Sequence, residues 1–499
     1  MSVQDPFYLT GNNLSVEDLA VLSSGGSPEI ALDDKGLAVM ADARAIVQEA
    51  ITSRTPVYGV TTGLGAQATN ALNEEDLTAF SYQTVRGRAH AVGKFLPREI
   101  VRAAMIIRLN TLLIGGSGAS PSVAEYLMKC LNLGLTPAVG EHGSIGAGDL
   151  VLNATWALAL IGEGTMLNDD GSSIPSLQAL NGKSIAPIEL GPRDGLALCN
   201  NTSMSAAFAS MGIAGAEAAF RKAEIAAALS LQAFQSNLSP FEAGILAISP
   251  KPGQNNASER LLTILEGSQV TEPGRARRLQ DPLSLRNLPQ IHGAVVTALE
   301  QAHEAVMPEL NGISDNPVVL IEEKKILSSG AYFTPQLTNA LEALSRSFAH
   351  ITMAQIARMS KLLNPSYSDL SLFLSQPGSA SNGFAPVMKT AEALACDLVQ
   401  KAQPAPLWPS INANGTEDVL AATPTAAKAL LAIVELSEQL SAVETLIAMR
   451  AIDMIEPTVK LGPRLKGVYD TIRALVPDEQ YDRPLARDIE TIAQMKLPV

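Results

Sequence analysis

Residues 203–235, SMSAAFASMGIAGAEAAFRKAEIAAALSLQAFQ, run for 33 positions without a proline. Proline removes a backbone donor and clashes inside a helix, whereas alanine is the best helix former known. An alanine-rich stretch of that length has one economical solution, a single long helix. The stretches 338–363 and 425–450 have the same character, and each exceeds the usual helix length of about 11–12 residues. Alternating β-branched residues are rare and aromatics are 4%. The expected class is therefore mainly α, with long helices packed as a bundle. Strands are expected to be few, near 165–188 and 319–334. The most apolar run, 203–220, is rich in Ser, Ala and Gly and contains Glu217. It reads as a tightly packed buried helix and not as a membrane span.

A net charge of -14 and a pI of about 5.0 argue against nucleic acid as a main partner. The balance of 46% hydrophobic against 17% charged residues, with mean hydropathy +0.15, calls for a large core or broad subunit interfaces. A homo-oligomer is the favoured expectation, because obligate interfaces resemble a core cut in half. Cys130, Cys199 and Cys396 are far apart and odd in number. No Cys/His cluster suggests a metal, and free thiols fit a reducing cytosol. MSVQDPFYLT lacks the basic and apolar regions of a signal peptide, so a cytoplasmic location is expected. No internal repeat or low-complexity linker appears. The expected division is a loop-and-helix part over 1–200 and a helix bundle over 201–499.

Loops interrupt the helical pattern at YGVTTGLG (58–65), GSIGAGDL (143–150), LCNNTS (198–203), QDPLSLRNLPQIHG (280–293), SDNPVV (314–319), SSGAYFTP (328–335) and NANGTEDV (412–419). Polar groups on such loops are the better functional candidates, since rigid helices commonly hold catalytic groups there. The second of these is the most constrained. EHGSIGAGDL places Ser144, Gly146, Ala147 and Gly148 in a side-chain-poor turn ending at Asp149. Glycine adopts positive φ freely and admits other groups close to the chain.

Taken together, these loops resemble the histidine and aromatic amino acid ammonia-lyase family. The likeness covers nearly the whole chain, in family order. YGVTTGLG is similar to the family's tyrosine loop. RLNTLLIGGSGAS (108–120) and LNLGLTPAVGEHGSIGAGDL lead into its prosthetic-group loop, and QDPLSLRNLPQIHGA and ELNGISDNP (309–317) match two further signatures. The resemblance implies a homotetramer of long helices, with sites built from loops of several subunits and a small amino acid as substrate. It implies no bound metal. It also implies an electrophile, methylidene-imidazolone, formed from an Ala-Ser-Gly triplet of the backbone. That group attacks the substrate, so that a tyrosine base can take a β proton and ammonia can leave.

The family reads roughly GSxGASGDL, and this chain reads GSIGAGDL. The dehydratable serine is missing, so Ala147 is followed at once by Gly148. The expectation is that the usual electrophile does not form and that no other cofactor is bound. Other positions are kept. By resemblance Tyr58 is the base, and Arg286 grips the substrate carboxylate, a task that suits a guanidinium fork. Asn200 matches an asparagine serving the carboxylate and the prosthetic group, although Asn201 replaces the family glycine beside it. His90 in RAHAVG and Glu417 in GTEDV match positions where histidine-specific members carry His and Glu. A His can bond an imidazole nitrogen, and a carboxylate can hold a cationic ring or amine. Leu283 stands where the family has a tyrosine, Tyr332 stands near a family asparagine, and Thr416 replaces a glutamine. The carboxylate side of the pocket is thus kept and the electrophile side remodelled.

Other features read blandly. GSGAS (116–120) lacks the lysine of a phosphate loop. Arg86, Arg88 and Lys94 read as a solvated helix face, and Asp315 and Asn316 as organisers of a turn before Pro317. Three functions follow: a carbon–nitrogen lyase on a histidine-like or aromatic amino acid, a prosthetic-group-free elimination, addition or isomerisation of a self-activated substrate, or an inactive binding homologue.

Overall fold

The computed structural model describes residues 5–24, 28–65, 70–73, 76–478 and 482–497. The helical expectation holds: about 59% of the chain is helix. The three long segments form helices Ser203–Phe234, Pro335–Leu362 and Thr423–Asp453. Their termini fall near the prolines and polar turns that flank each run.

One expected loop is not a loop. Of QDPLSLRNLPQIHG, Leu283–Arg286 forms a helical turn and Leu288–Asn311 a long helix. Pro289 is tolerated because it stands in the first turn, where its missing N–H has no helical partner to lose.

The strands are short and pair in twos. Phe7–Leu9 lies parallel to Ile30–Leu32, and Val92–Phe95 antiparallel to Gly140–His142. Thr165–Leu167 pairs with Ser173–Pro175, and Val318–Leu320 with Lys325–Leu327. The last two hairpins lie in the two regions where strands were expected. No helix of the described residues is long and apolar enough to cross a membrane.

Two compact units emerge. The first comprises Met1–Ala214, His303–Asn339 and Ala405–Lys428, and the second Gly215–Ala302, Ala340–Pro404 and Ala429–Val499. They interleave along the chain. Four of the five boundaries fall inside long helices, which carry no linker signal in composition; the fifth, Pro404/Ala405, lies in the coil after Ala385–Lys401.

In the first unit, the Arg98–Leu112 helix buries every residue from Ile100 to Leu112, Arg108 and Asn110 included. Arg108 is tolerated because its fork meets the Asp315 carboxylate at 2.8 and 2.9 Å. Arg193 donates to Ser117 O at 2.9 Å and to Pro317 O at 2.8 Å. The SDNP segment is thus fastened from two sides. Around Ala43, Val47, Ile51, Val57 and Val60 an apolar cluster anchors the base of the tyrosine loop. In the second unit the core gathers Ile225–Phe234, Leu440–Ile452 and their neighbours. Within it Arg358 and Glu444, both fully buried, form a two-pronged pair at 2.5 and 2.9 Å.

Candidate functional site

The turn at 143–149 is built from backbone. Gly146, Gly148 and Asp149 all take positive φ, at 81°, 83° and 46°. A Cβ on Gly148 would stand 2.4 Å from Asn200 Oδ1, and one on Gly146 would stand 3.0 Å from Ala422 N. Only glycine fits either place. Ala147 bridges the backbone of Phe333, the Gly148 carbonyl accepts from Asn201 N at 3.1 Å, and the Ile145 carbonyl accepts from Ala422 N at 3.3 Å.

Below the turn, buried Asp149 accepts from Ser144 Oγ at 2.5 Å, Ser205 N at 2.7 Å and Ser205 Oγ at 2.8 Å. It thereby ties the turn to the first residues of the Ser203–Phe234 helix, where free N–H groups attract a carboxylate. Burial pushes the Asp149 carboxyl up, and these three donors oppose that rise. Nearby Glu309 accepts from Thr202 Oγ1 at 2.6 Å. Burial, together with the Asp149 charge, raises its carboxyl to about 7.

Tyr58 is half-buried, and its phenolic oxygen accepts the Gly65 N–H at 3.0 Å. The loop is held by Thr61, whose Oγ1 accepts from Val57 N at 2.8 Å and donates to Thr55 O at 2.6 Å. Gly59, at φ 63°, lies where a Cβ would strike the Leu196 side chain at 2.5 Å. Tyr58 thus sits on a rigid turn.

Tyr332 is its electrostatic neighbour. Burial raises the Tyr332 phenol above its ordinary value, and the nearby Tyr58 and Glu417 raise it further. Glu417 closes the Asn412–Glu417 turn, in which Ala413 and Asn414 are left-handed. Burial raises its carboxyl, and the Arg88 guanidinium opposes the rise. Asn200 donates to Asn316 O at 3.0 Å, and Asn316 Oδ1 accepts from Ser329 N at 2.9 Å. The fastened SDNP segment therefore positions both Asn200 and the loop that carries Tyr332.

The structure brings Tyr58, Tyr332, Glu417 and Arg88 into one neighbourhood, and Asn200 into contact with Gly148. It does not bring in His90, which is exposed; its Nε2 lies 3.1 Å from Gly87 O within a local turn. Arg286 belongs to the second unit, where it is half-buried and its guanidinium donates to the side-chain carbonyl of Gln280.

Arg88 corrects the reading of the 86–94 cluster as a solvated face. It is half-buried beside Glu417, while Arg86 is exposed and pairs with Glu163. Only the turn after Arg86 decides which basic side chain faces inward. Sequence reasoning also missed Glu309, which opens the ELNGISDNP segment without standing out in it.

The family described as aromatic amino acid lyase matches residues 14–474. The chain belongs to that family. It is 32% identical to the histidine ammonia-lyase of Symbiobacterium thermophilum over 97% of this chain and 95% of that protein. Among solved structures it is similar to the ergothioneine-degrading enzyme ergothionase of Treponema denticola, in complex with desmethyl-ergothioneine sulfonic acid. That match has TM-score 0.92 and 27% identity, covering 98% of each chain. It is also similar to the tyrosine aminomutase of Streptomyces globisporus, with TM-score 0.91 and 29% identity over 98% of this chain and 96% of that one.

The prosthetic group of this lyase family is formed by dehydrating a hydroxyl-bearing residue. Between Gly146 and Asp149 the chain offers only Ala147 and Gly148. The backbone of this turn is engaged in bonds to Ala422, Phe333 and Asn201.

Proposed function

We propose that this aromatic amino acid lyase family member eliminates an amine from a histidine-like carboxylate substrate without methylidene-imidazolone. Tyr58 is the base that takes the β proton. The electrons of the Cβ–H bond form the Cα=Cβ bond, and the C–N pair leaves with the amine. Arg286 holds the carboxylate, supplied in a homotetramer by another copy of the chain, and Asn200 and Glu417 orient the rest.

The observation that carries this reading is the 146–148 turn, which lacks a dehydratable side chain while the base and its loop are intact. The leaving group must then be activated by itself. A primary ammonium is a poor choice, because its N–H protons are far more acidic than a β C–H. A base able to take the latter takes the former first and leaves a neutral amine, which departs badly. A quaternary ammonium has no N–H and leaves as a neutral tertiary amine. The likeness to an ergothioneine-degrading enzyme supports this choice, since ergothioneine is a trimethylammonium derivative of a histidine skeleton.

The second reading is ammonia release from L-histidine, favoured by the likeness to histidine ammonia-lyases. The test is amine release from histidine betaine, ergothioneine, L-histidine, L-phenylalanine and L-tyrosine by the purified protein. The expected outcome is trimethylamine from one or both betaines and no ammonia from the free amino acids. Tyr58→Phe should lower kcat by about 10²–10⁴-fold with binding retained. Ammonia from L-histidine, lost in Tyr58→Phe, would establish the second reading. Binding without any release would leave a non-catalytic homologue.

A further inference from the structure

We propose that Tyr332 is the specificity-determining ring of this pocket, its face holding the cationic nitrogen of the substrate beside the Gly148 turn. The inference rests on the betaine reading above and deepens it.

Three observations converge on this residue. The first is placement. A Cβ at Gly148 would stand 3.8 Å from Tyr332 Cβ, so the tyrosine flanks the turn at which the resemblance puts the family's electrophile. The second is fixation. The backbone of Phe333 bridges Ala147, Ser329 N donates to Asn316 Oδ1 at 2.9 Å, and Thr334 Oγ1 bonds Thr423 Oγ1 at 2.7 Å. A residue so framed on both sides gives up little freedom when a ligand meets it. The third is charge. Tyr332 is half-buried among groups that disfavour its ionisation, Tyr58 and Glu417. It stays a neutral ring while Tyr58 exchanges a proton.

Glu417 alone does not serve the cation well, because burial disfavours its charged form. A quaternary ammonium is weakly hydrated and offers no hydrogen bond. Its natural partner is the negative face of an aromatic ring. Tyr332 neighbours both Tyr58 and Glu417, and Tyr58 is committed to the β proton. Tyr332 is the ring left to hold the quaternary nitrogen. A site organised this way prefers a trimethylated nitrogen to a primary one, which can hydrogen-bond to water as well as to protein.

The experiment uses the full chain carrying Tyr58→Phe, so that ligands bind without turning over. The probes are histidine betaine and 3-(imidazol-4-yl)propionate, which has the same ring and carboxylate but no cation. Adding Tyr332→Leu should weaken betaine binding by about 3–30-fold and leave the propionate within about twofold. Adding Tyr332→Phe should leave both nearly unchanged. Progressive ring fluorination of phenylalanine at 332 keeps the shape and drains the ring face, so betaine affinity should fall stepwise. This series decides the matter even if the leucine variant folds poorly.

Equal loss of both ligands in the leucine variant, loss in Tyr332→Phe equal to that in leucine, or no dependence on fluorination would each overturn the proposal. If the unaltered protein releases trimethylamine from the betaine while the fluorination series is flat, the ring assignment falls and the lyase reading stands. If the protein neither binds nor turns over betaines, both fall together.

Discussion

At the scale of single residues, the site combines groups whose environments push their ionisation in chosen directions. Glu417 is held above the ordinary carboxylate range by burial, against the pull of Arg88. If its charge orients the substrate, kcat/KM should fall on the acid side as pH drops through that raised value. Glu417→Gln should remove this limb, and Arg88→Met should shift it to higher pH, because the opposing charge is gone. A pH profile of amine release checks both.

Glu309 makes a separate, stability-linked prediction. Its carboxyl is raised from 4.5 to about 7 in the folded chain. The folded state therefore holds a proton that the unfolded state gives up. The sign follows from linkage: stability from this group is fully present below pH 4.5 and is lost as pH rises through about 7. The change amounts to about 3 kcal/mol. Denaturant unfolding of Glu309→Gln between pH 5 and 8 should show a flatter dependence than the parent, since the amide can still accept from Thr202. An unchanged slope would place the titration elsewhere.

At the scale of elements, the long helices are specified by more than apolar surface. Arg358 on Pro335–Leu362 and Glu444 on Thr423–Asp453 meet with neither exposed to water, and Glu444 also accepts from Ser230 at 2.8 Å on Ser203–Phe234. Three helices are thereby joined at one carboxylate. Removing one partner leaves a buried charge uncompensated, which costs about 3–5 kcal/mol. Arg358→Met should destabilise the protein by that amount, and Arg358→Met with Glu444→Leu should recover most of it. A chemical denaturation series on the three proteins measures the difference. The double variant also tests whether the pair supplies stability or the register of the helices.

For the whole molecule, large apolar side chains remain in water in the single chain: Leu279 is 95% exposed, Ile411 89% and Trp408 57%. Side chains of this kind suit an interface between copies. The expected mass in solution is about four times 52.4 kDa, measured by light scattering. Charge substitutions at Leu279 or Ile411 should lower both the mass and the activity if sites are completed between copies. Loss of mass with activity intact would confine the working site to one chain.

The fold class was legible in the sequence because a proline-free, alanine-rich run has few alternatives to a helix, and two of the hairpins fall in the regions where strands were expected. The missing hydroxyl at 146–148 is also a property of sequence alone, and so is the presence of Tyr58 in its glycine-bounded loop. Tertiary structure decided the rest. The division into units carries little signal in the sequence because four of its five boundaries lie within helices. Which of Arg86 and Arg88 faces inward depends on one turn. The neighbourhood of Tyr332, Glu417 and Tyr58 depends on contacts across hundreds of residues, made by a loop hung from a buried Arg108–Asp315 pair. The carboxyl of Glu309 is shifted by burial beside Asp149. Local periodicity fixes secondary structure, whereas proximity and burial, which set ionisation and chemistry, exist only once the chain has folded.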